Sequence, residues 1–163
     1  MNSKLLKYYL FLLLGFTLIS CNHNVFYQKI DAVPKEVWNI DSVYHYQFEI
    51  SDSLQYYNMY INLRNTIDYP YQNFYIFCTT VMPNGVSFTD TLGGYLCDYY
   101  GQWFGKGSGR IKDNKFLLRR QVRFQQKGVY NISIKHAMRT DDLKGIANVG
   151  ITLNKFKEEK NNR

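Results

Sequence analysis

The sequence predicts an all-β fold: an antiparallel β-sandwich of jelly-roll-like form with about 8–9 strands, behind an N-terminal lipoprotein signal peptide. Three observations carry that reading. Beyond residue 21, apolar and polar residues alternate in run after run, and no apolar stripe returns at helical spacing. Turn residues recur at about the 8–12-residue interval of a sandwich or barrel. The single long apolar run lies at the extreme N-terminus of the 163 residues, which excludes a polytopic membrane protein. The length suits one domain with an adequate core. Aromatic residues at 17% and charged residues at 20% exclude a disordered chain. A closed barrel is the second arrangement that fits.

Residues 1–20 form the expected signal peptide. Lys4 and Lys7 make a positive start, and Tyr8 to Ile19 is an apolar stretch too short to span a bilayer comfortably. It ends in Leu18-Ile19-Ser20-Cys21, which resembles the bacterial lipobox. The Cys21 thiol is the group that takes a diacylglyceryl chain, and the small Ser20 lets a peptidase reach the backbone before it. Cys21 is therefore the expected lipidation site and mature N-terminus, with the lipid bilayer as its partner. A lipoprotein normally carries two or three chains, and each buried CH₂ adds about 0.8 kcal/mol to anchoring. Asn22 follows the cysteine with no acidic run behind it, which favours a periplasm-facing site at the outer membrane.

Residues 21–42 read as a lipidated tether, with an edge strand at Val25–Lys29 and one short helical turn at Pro34–Trp38. The sandwich is expected over residues 43–153. In Val43–Ile50, Tyr44, Tyr46, Phe48 and Ile50 alternate with His45, Gln47 and Glu49; Tyr57–Arg64 alternates likewise. Asn73–Met82 is apolar on both faces, as a central strand would be. Pro83-Asn84-Gly85 is a hairpin turn, with Asn-Gly offering positive φ. Ser87–Leu92 returns, and Gly94–Asp98 continues after a Gly-Gly break. Phe116–Phe124, Val129–Met138 and Val149–Leu153 complete the strands, and residues 154–163 are a polar tail.

No constellation for catalysis emerges. His23, His45 and His136 are far apart and read as solvated or hydrogen-bonded surface residues. No serine sits in a G-x-S-x-G elbow, and Asp31, Asp41, Glu49 and Asp52 show no paired spacing. Gly105-Lys106-Gly107-Ser108-Gly109 lacks the following helix that a phosphate cradle needs, so it reads as a flexible β-loop. The expectation is a protein with no enzymatic activity, cofactor, metal or small-molecule substrate.

Arg119, Arg120, Arg123 and Lys127 form a basic patch on one strand-and-turn unit. Anionic headgroups, an acidic protein surface or plain solvent would each suit it; nucleic acid is not expected outside the cytoplasm. Arg120 falls on the apolar face, which implies a bulge or an inward Arg with a partner. Cys78 and Cys97 would remain after lipidation, either as a cross-sheet disulfide or as buried thiols. Asp41-Ser42, Asp52-Ser53 and Asp90-Thr91, each before an aliphatic residue, fit either turn chemistry or an O-glycosylation acceptor. The loop Tyr99–Lys112 holds Trp103 and Phe104 between glycines, beside the Tyr69-Pro70-Tyr71 turn. Tyr69, Tyr71, Trp103 and Phe104 are the candidate partner contacts, with Trp103 as a core plug the competing reading.

Several stretches resemble the gliding motility lipoprotein family GldH. They are Tyr60-Ile61-Asn62-Leu63-Arg64-Asn65, Asp68-Tyr69-Pro70-Tyr71-Gln72-Asn73, Pro83-Asn84-Gly85 with Thr89-Asp90-Thr91-Leu92, and Gly101-Gln102-Trp103-Phe104-Gly105-Lys106-Gly107. Lys127-Gly128-Val129-Tyr130, His136-Ala137-Met138-Arg139 and Val149-Gly150 continue the match in order. The chain departs at Cys97, where the family pattern has Ala or a polar residue, which weakens a general role for a Cys78–Cys97 bridge. The resemblance implies a non-enzymatic envelope lipoprotein of the gliding machinery linked to type IX secretion, with other envelope lipoproteins as partners. An anchored carbohydrate-binding module is the alternative, and it requires coplanar exposed aromatics on one face.

Overall fold

The computed structural model describes residues 24–156. Cys21, His23 and the signal peptide lie outside them. The elements are β1 (Val25–Ala32), a 3₁₀ turn (Pro34–Glu36), β2 (Val37–Asn39), β3 (Tyr44–Ile50), β4 (Tyr56–Thr66) and β5 (Asn73–Val81). Then come β6 (Ser87–Tyr95), β7 (Ile111–Arg123), β8 (Gly128–His136), β9 (Asp142–Lys144) and β10 (Ile146–Lys155). The first sheet has the order β1-β10-β4-β7, the second β3-β8-β5-β6, and β2 pairs β9 in a small ribbon. Every pairing is antiparallel. Among the long strands, only the β5–β6 hairpin joins neighbours within one sheet; each other connection crosses the sandwich. This is jelly-roll connectivity.

Alternation builds the core. Ile61, Leu63, Val149, Ile151 and Leu153 of the first sheet meet Tyr46, Ile50, Ile76, Ile132 and Ile134 of the second, all buried. Each such aliphatic side chain contributes roughly 1.5–3 kcal/mol by leaving water. The phenol of Tyr46 donates across the sandwich to the carbonyl of Val149 at 3.0 Å, so its one polar atom is satisfied.

The structure corrects several local expectations. β6 runs through Gly93 and Gly94 unbroken, because each glycine faces an aromatic on β5: Tyr75 opposite Gly93, and Phe74 opposite Gly94. A Cβ on Gly93 would stand 2.3 Å from the Tyr75 ring, so the glycine makes room for the ring rather than ending the strand. β5 is apolar on both faces without being buried on both, since Tyr75 and Phe77 point outward and are exposed. β1 extends to Ala32 and pairs along β10, so the sandwich begins well before residue 43. Asn154 and Lys155 belong to β10, and the Phe156 N–H donates to the Tyr56 carbonyl, so no frayed tail starts at 154. The Pro34–Trp38 turn gives way to strand at Val37, and Lys35 and Glu36 take left-handed φ of 55° and 57°.

Arg120 is outward on a bulge. β7 shifts register against β4 on both sides of the Met59–Arg119 pair. Gln121 takes φ 51°, and its N–H donates to Asn58 Oδ1 at 2.9 Å. Two extra residues on β7 thus restore the inward setting of Leu118 and Val122.

The strands place the loops at two ends. The start of β1 and the connections 51–55, 82–86 and 124–127 lie at one end, which we call the tether end. The loops 67–72, 96–110 and 137–141, with the β2–β9 ribbon, lie at the other, the distal end. β4 spans both in 11 residues, about 35 Å.

Candidate functional site

The distal end gathers the aromatic loops. Segment 96–110 starts as a narrow ribbon. The Leu96 N–H donates to the Gln72 carbonyl at 2.7 Å and the Phe104 N–H to the Leu96 carbonyl at 2.9 Å, while Cys97 bridges Trp103. Asp98 shapes its tip: one carboxylate oxygen accepts the N–H groups of Tyr100 and Gln102 at 2.9 and 2.8 Å. Gly101, with φ 85°, completes the turn. Tyr99 and Tyr100 stand at this tip, exposed, with ring centroids 3.8 Å apart.

The second half of the segment is pinned rather than free. Lys106 and Asp113 exchange main-chain hydrogen bonds, and Lys112 Nζ donates to the Gly107 carbonyl at 2.6 Å. Arg110 donates to Glu36 at 2.7 Å and to Asp68 at 3.2 Å. Its guanidinium holds the Glu36 carboxyl below its ordinary value through that hydrogen bond. The glycine-rich stretch therefore folds back along the edge of β7, held through the Lys106 main chain and the Gly107 carbonyl.

The four expected contacts separate. Tyr69 is buried, its phenol donates to the Asn73 carbonyl at 2.9 Å, and burial pushes its pKa up. It rests on Gly145, whose φ is 83° and where a Cβ would come within 2.7 Å of Tyr69 Cα. Trp103 is half-buried and packs on the core. Tyr71 and Phe104 are exposed but look onto different faces. Tyr71 joins Tyr75, Met138 and Arg139 around a cleft of about 520 Å³ beside the second sheet. Phe104 joins Asn62, Arg64 and Lys115 around one of about 610 Å³ on the first. The sequence reading did not single out Tyr99 and Tyr100, the two most exposed aromatics among the described residues, although the Asp-Tyr-Tyr-Gly order signals a turn that lifts both rings.

Cys78 and Cys97 are free and buried. Cys78 sits five residues up β5 from Asn73, the strand start beside which Cys97 lies, so about 16 Å of strand separates them. No disulfide spans such a gap. Burial pushes the Cys78 thiol up to about 12, with Asp90 adding to it. His136 is likewise no surface residue. It is buried against Trp38 at a 5.5 Å ring separation, with neither ring nitrogen hydrogen-bonded among the described residues. Burial lowers its pKa; the carbonyls of Asp141 and Trp38 pull the other way without making a hydrogen bond. His45 is exposed on β3 opposite Ser133. Among the described residues no three His, Cys, Asp or Glu side chains gather as metal ligands. At the Asp-Ser/Thr sites, Asp52 accepts the Leu54 N–H at 2.9 Å, and Asp90 takes a two-pronged ion pair from Arg119 that ties β6 to β7.

Residues 25–153 match the family model described as GldH lipoprotein, which covers every long strand of the sandwich up to the last two residues of β10. The chain belongs to the GldH lipoprotein family. It is 31% identical over 150 residues to the gliding motility lipoprotein GldH homolog of Christiangramia forsetii, covering 86% of this chain and 91% of that one. It is 30% identical over 149 residues to gliding motility lipoprotein GldH of Flavobacterium johnsoniae, covering 87% and 92%. Among solved structures, dimeric latent PorU of Porphyromonas gingivalis aligns with TM-score 0.35 at 10% identity, over 81% of this chain and 13% of PorU. At that score the likeness speaks to neither fold nor function.

Proposed function

We propose that this GldH-family chain is an envelope lipoprotein, anchored through acylated Cys21, that acts as a non-enzymatic interaction component of the gliding machinery linked to type IX secretion. The family match over the whole sandwich carries this reading. The geometry supports it: β1 leaves the anchor at one end, and the exposed Tyr99, Tyr100 and Phe104 stand at the other, where a partner would meet them. The test is deletion of the gene in its host, followed by complementation. Loss of colony spreading and of surface adhesin export is expected, restored by the native gene and not by Cys21→Ala. A deletion strain that spreads and exports normally refutes the proposal.

A carbohydrate-binding reading draws on one observation. Tyr75, Phe77 and Tyr95 are all exposed on the outer face of β5 and β6, beside Thr79, Thr89 and Thr91. Retardation of the native chain, but not of Tyr75→Ala, in gels containing envelope polysaccharide would establish it.

A further inference from the structure

We propose that the tether end of the sandwich is a headgroup-binding surface, on which Arg120, Arg123, Lys127 and Lys155 seat against anionic lipid of the bilayer that holds Cys21. The inference rests on the anchor proposed above and adds an orientation to it.

Register places these four cations at one end of the sandwich. Tyr57 lies opposite both Val122 and Lys155, so the end of β7 and the end of β10 flank the start of β4. Lys127 lies in the turn from β7 to β8, at the same end. All four are exposed. Arg119, the remaining member of the basic run, is occupied by Asp90 and points between the sheets. Among the described residues the acids at this end are Glu49 and Asp52, and Asp52 already accepts the Leu54 N–H; Glu158 and Glu159 lie in 157–163, outside the described residues. At the distal end, by contrast, Arg110 is neutralised by Glu36 and Asp68.

The covalent chain fixes what this end can face. Three peptide bonds join Cys21 to Asn24, a reach of at most about 11 Å. Asn24 is held on the rim, since its carbonyl accepts the Lys155 N–H at 2.8 Å. The cations on β7 stand about 14 Å to the side, three strand spacings across the first sheet. An anchor this short keeps the rim close to the headgroup layer, where screening has not erased the attraction. The same rim exposes apolar side chains suited to the interface: Leu54 at 76% and Val86 at 54%. An acidic protein would have to enter between the rim and the bilayer to compete for this surface.

The test uses the lipidated mature chain in protein-free vesicles with brominated acyl chains. The native tryptophans, Trp38 and Trp103, both lie at the distal end and serve as the far reference. Leu54→Trp adds a reporter at an exposed rim position that packs on nothing in the core. In vesicles containing phosphatidylglycerol, the added emission of Leu54→Trp should be quenched several-fold more than the native emission. Purely zwitterionic vesicles should remove most of that difference. Combining Arg120→Gln, Arg123→Gln and Lys127→Gln should weaken seating by about fivefold per charge, read as lost quenching. A chain that fails to enter vesicles at all overturns the anchor and the orientation together. A chain firmly held whose Leu54→Trp emission is quenched no more than Trp103, or equally in both lipids, overturns the orientation alone. Protection of Arg123 and Lys127 from chemical modification only when envelope proteins are added would assign the patch to a protein and also refute the proposal.

Discussion

At the tether end, the 82–86 connection is held by its own residues. At the distal end, the 67–72 loop leans on residues distant in sequence. The 82–86 hairpin shows the first case. The Gly85 N–H donates to the Met82 carbonyl at 2.9 Å and the Met82 N–H to the Val86 carbonyl at 2.8 Å, with Asn84 Oδ1 taking the Val86 N–H. The 67–72 loop shows the second. It rests on Gly145, takes an N–H···O bond from Ile67 to Arg110, and supplies Asp68 to the Arg110 side chain. Local turns repair themselves; loops tied across the fold fail together.

Two glycines put that contrast on one scale, because Gly85 and Gly145 share φ 83°. Gly145→Ala adds a Cβ 2.7 Å from backbone and should cost roughly 3 kcal/mol or more. Gly85→Ala meets nothing within 4 Å and should cost only the left-handed penalty, about 1 kcal/mol. Denaturant midpoints of the two variants measure both. Equal losses would mean the distal loop has slack that the contact with Tyr69 hides.

Titration of His136 gives the next effect. Its folded pKa lies below the ordinary 6.5, so the unfolded chain binds the extra proton first as pH falls. The His136 contribution to stability should be flat above pH 6.5, drop as pH falls below it, and level off beneath the folded pKa. His136→Phe should remove that component, seen by comparing melting curves across the range. An unchanged acid slope would assign it to the carboxylates.

Thiol labelling should show no effect in the native state at either site. Cys78, pushed up to about 12, and the buried Cys97 should both resist alkylation at pH 8 and both react after unfolding. Native labelling of Cys97 alone would reveal opening of the 96–110 ribbon. The smallest stability change belongs to Tyr99→Ser with Tyr100→Ser. Both side chains are exposed, so stability should move by less than about 0.5 kcal/mol while association with an envelope partner falls. A large stability loss would make them structural after all.

Alternation made the long strands legible, because one face of Tyr44–Ile50 or Val149–Leu153 had to turn inward whatever its neighbours. It also flagged Arg120, where the pattern broke, leaving a bulge or an inward Arg open; the two extra residues on β7 decide for the bulge. The β2–β9 ribbon was illegible: each strand has three residues, and Trp38 finds Leu143 across the chain. Gly93-Gly94 misled because the rings that need those glycines lie on another strand. Tyr69 and Tyr99 look alike in sequence; only the contact with Gly145 buries one, and only the Asp98 turn lifts the other. His136 read as solvated because the Trp38 that covers it arrives from the same unseen ribbon.

The pairing of β1 along β10 carries a mechanical consequence. Seven residues of β1 have partners on β10, from Val25 opposite Asn154 to Ala32 opposite Asn148. Ladder hydrogen bonds lie across the strand axis. With the anchor and partner end proposed above, a pull between the two runs along that axis, so it shears the ladder instead of peeling it bond by bond. The whole set of bonds must yield at once, and the first strand after the anchor is thereby the one best placed to pass force into the sandwich without unravelling.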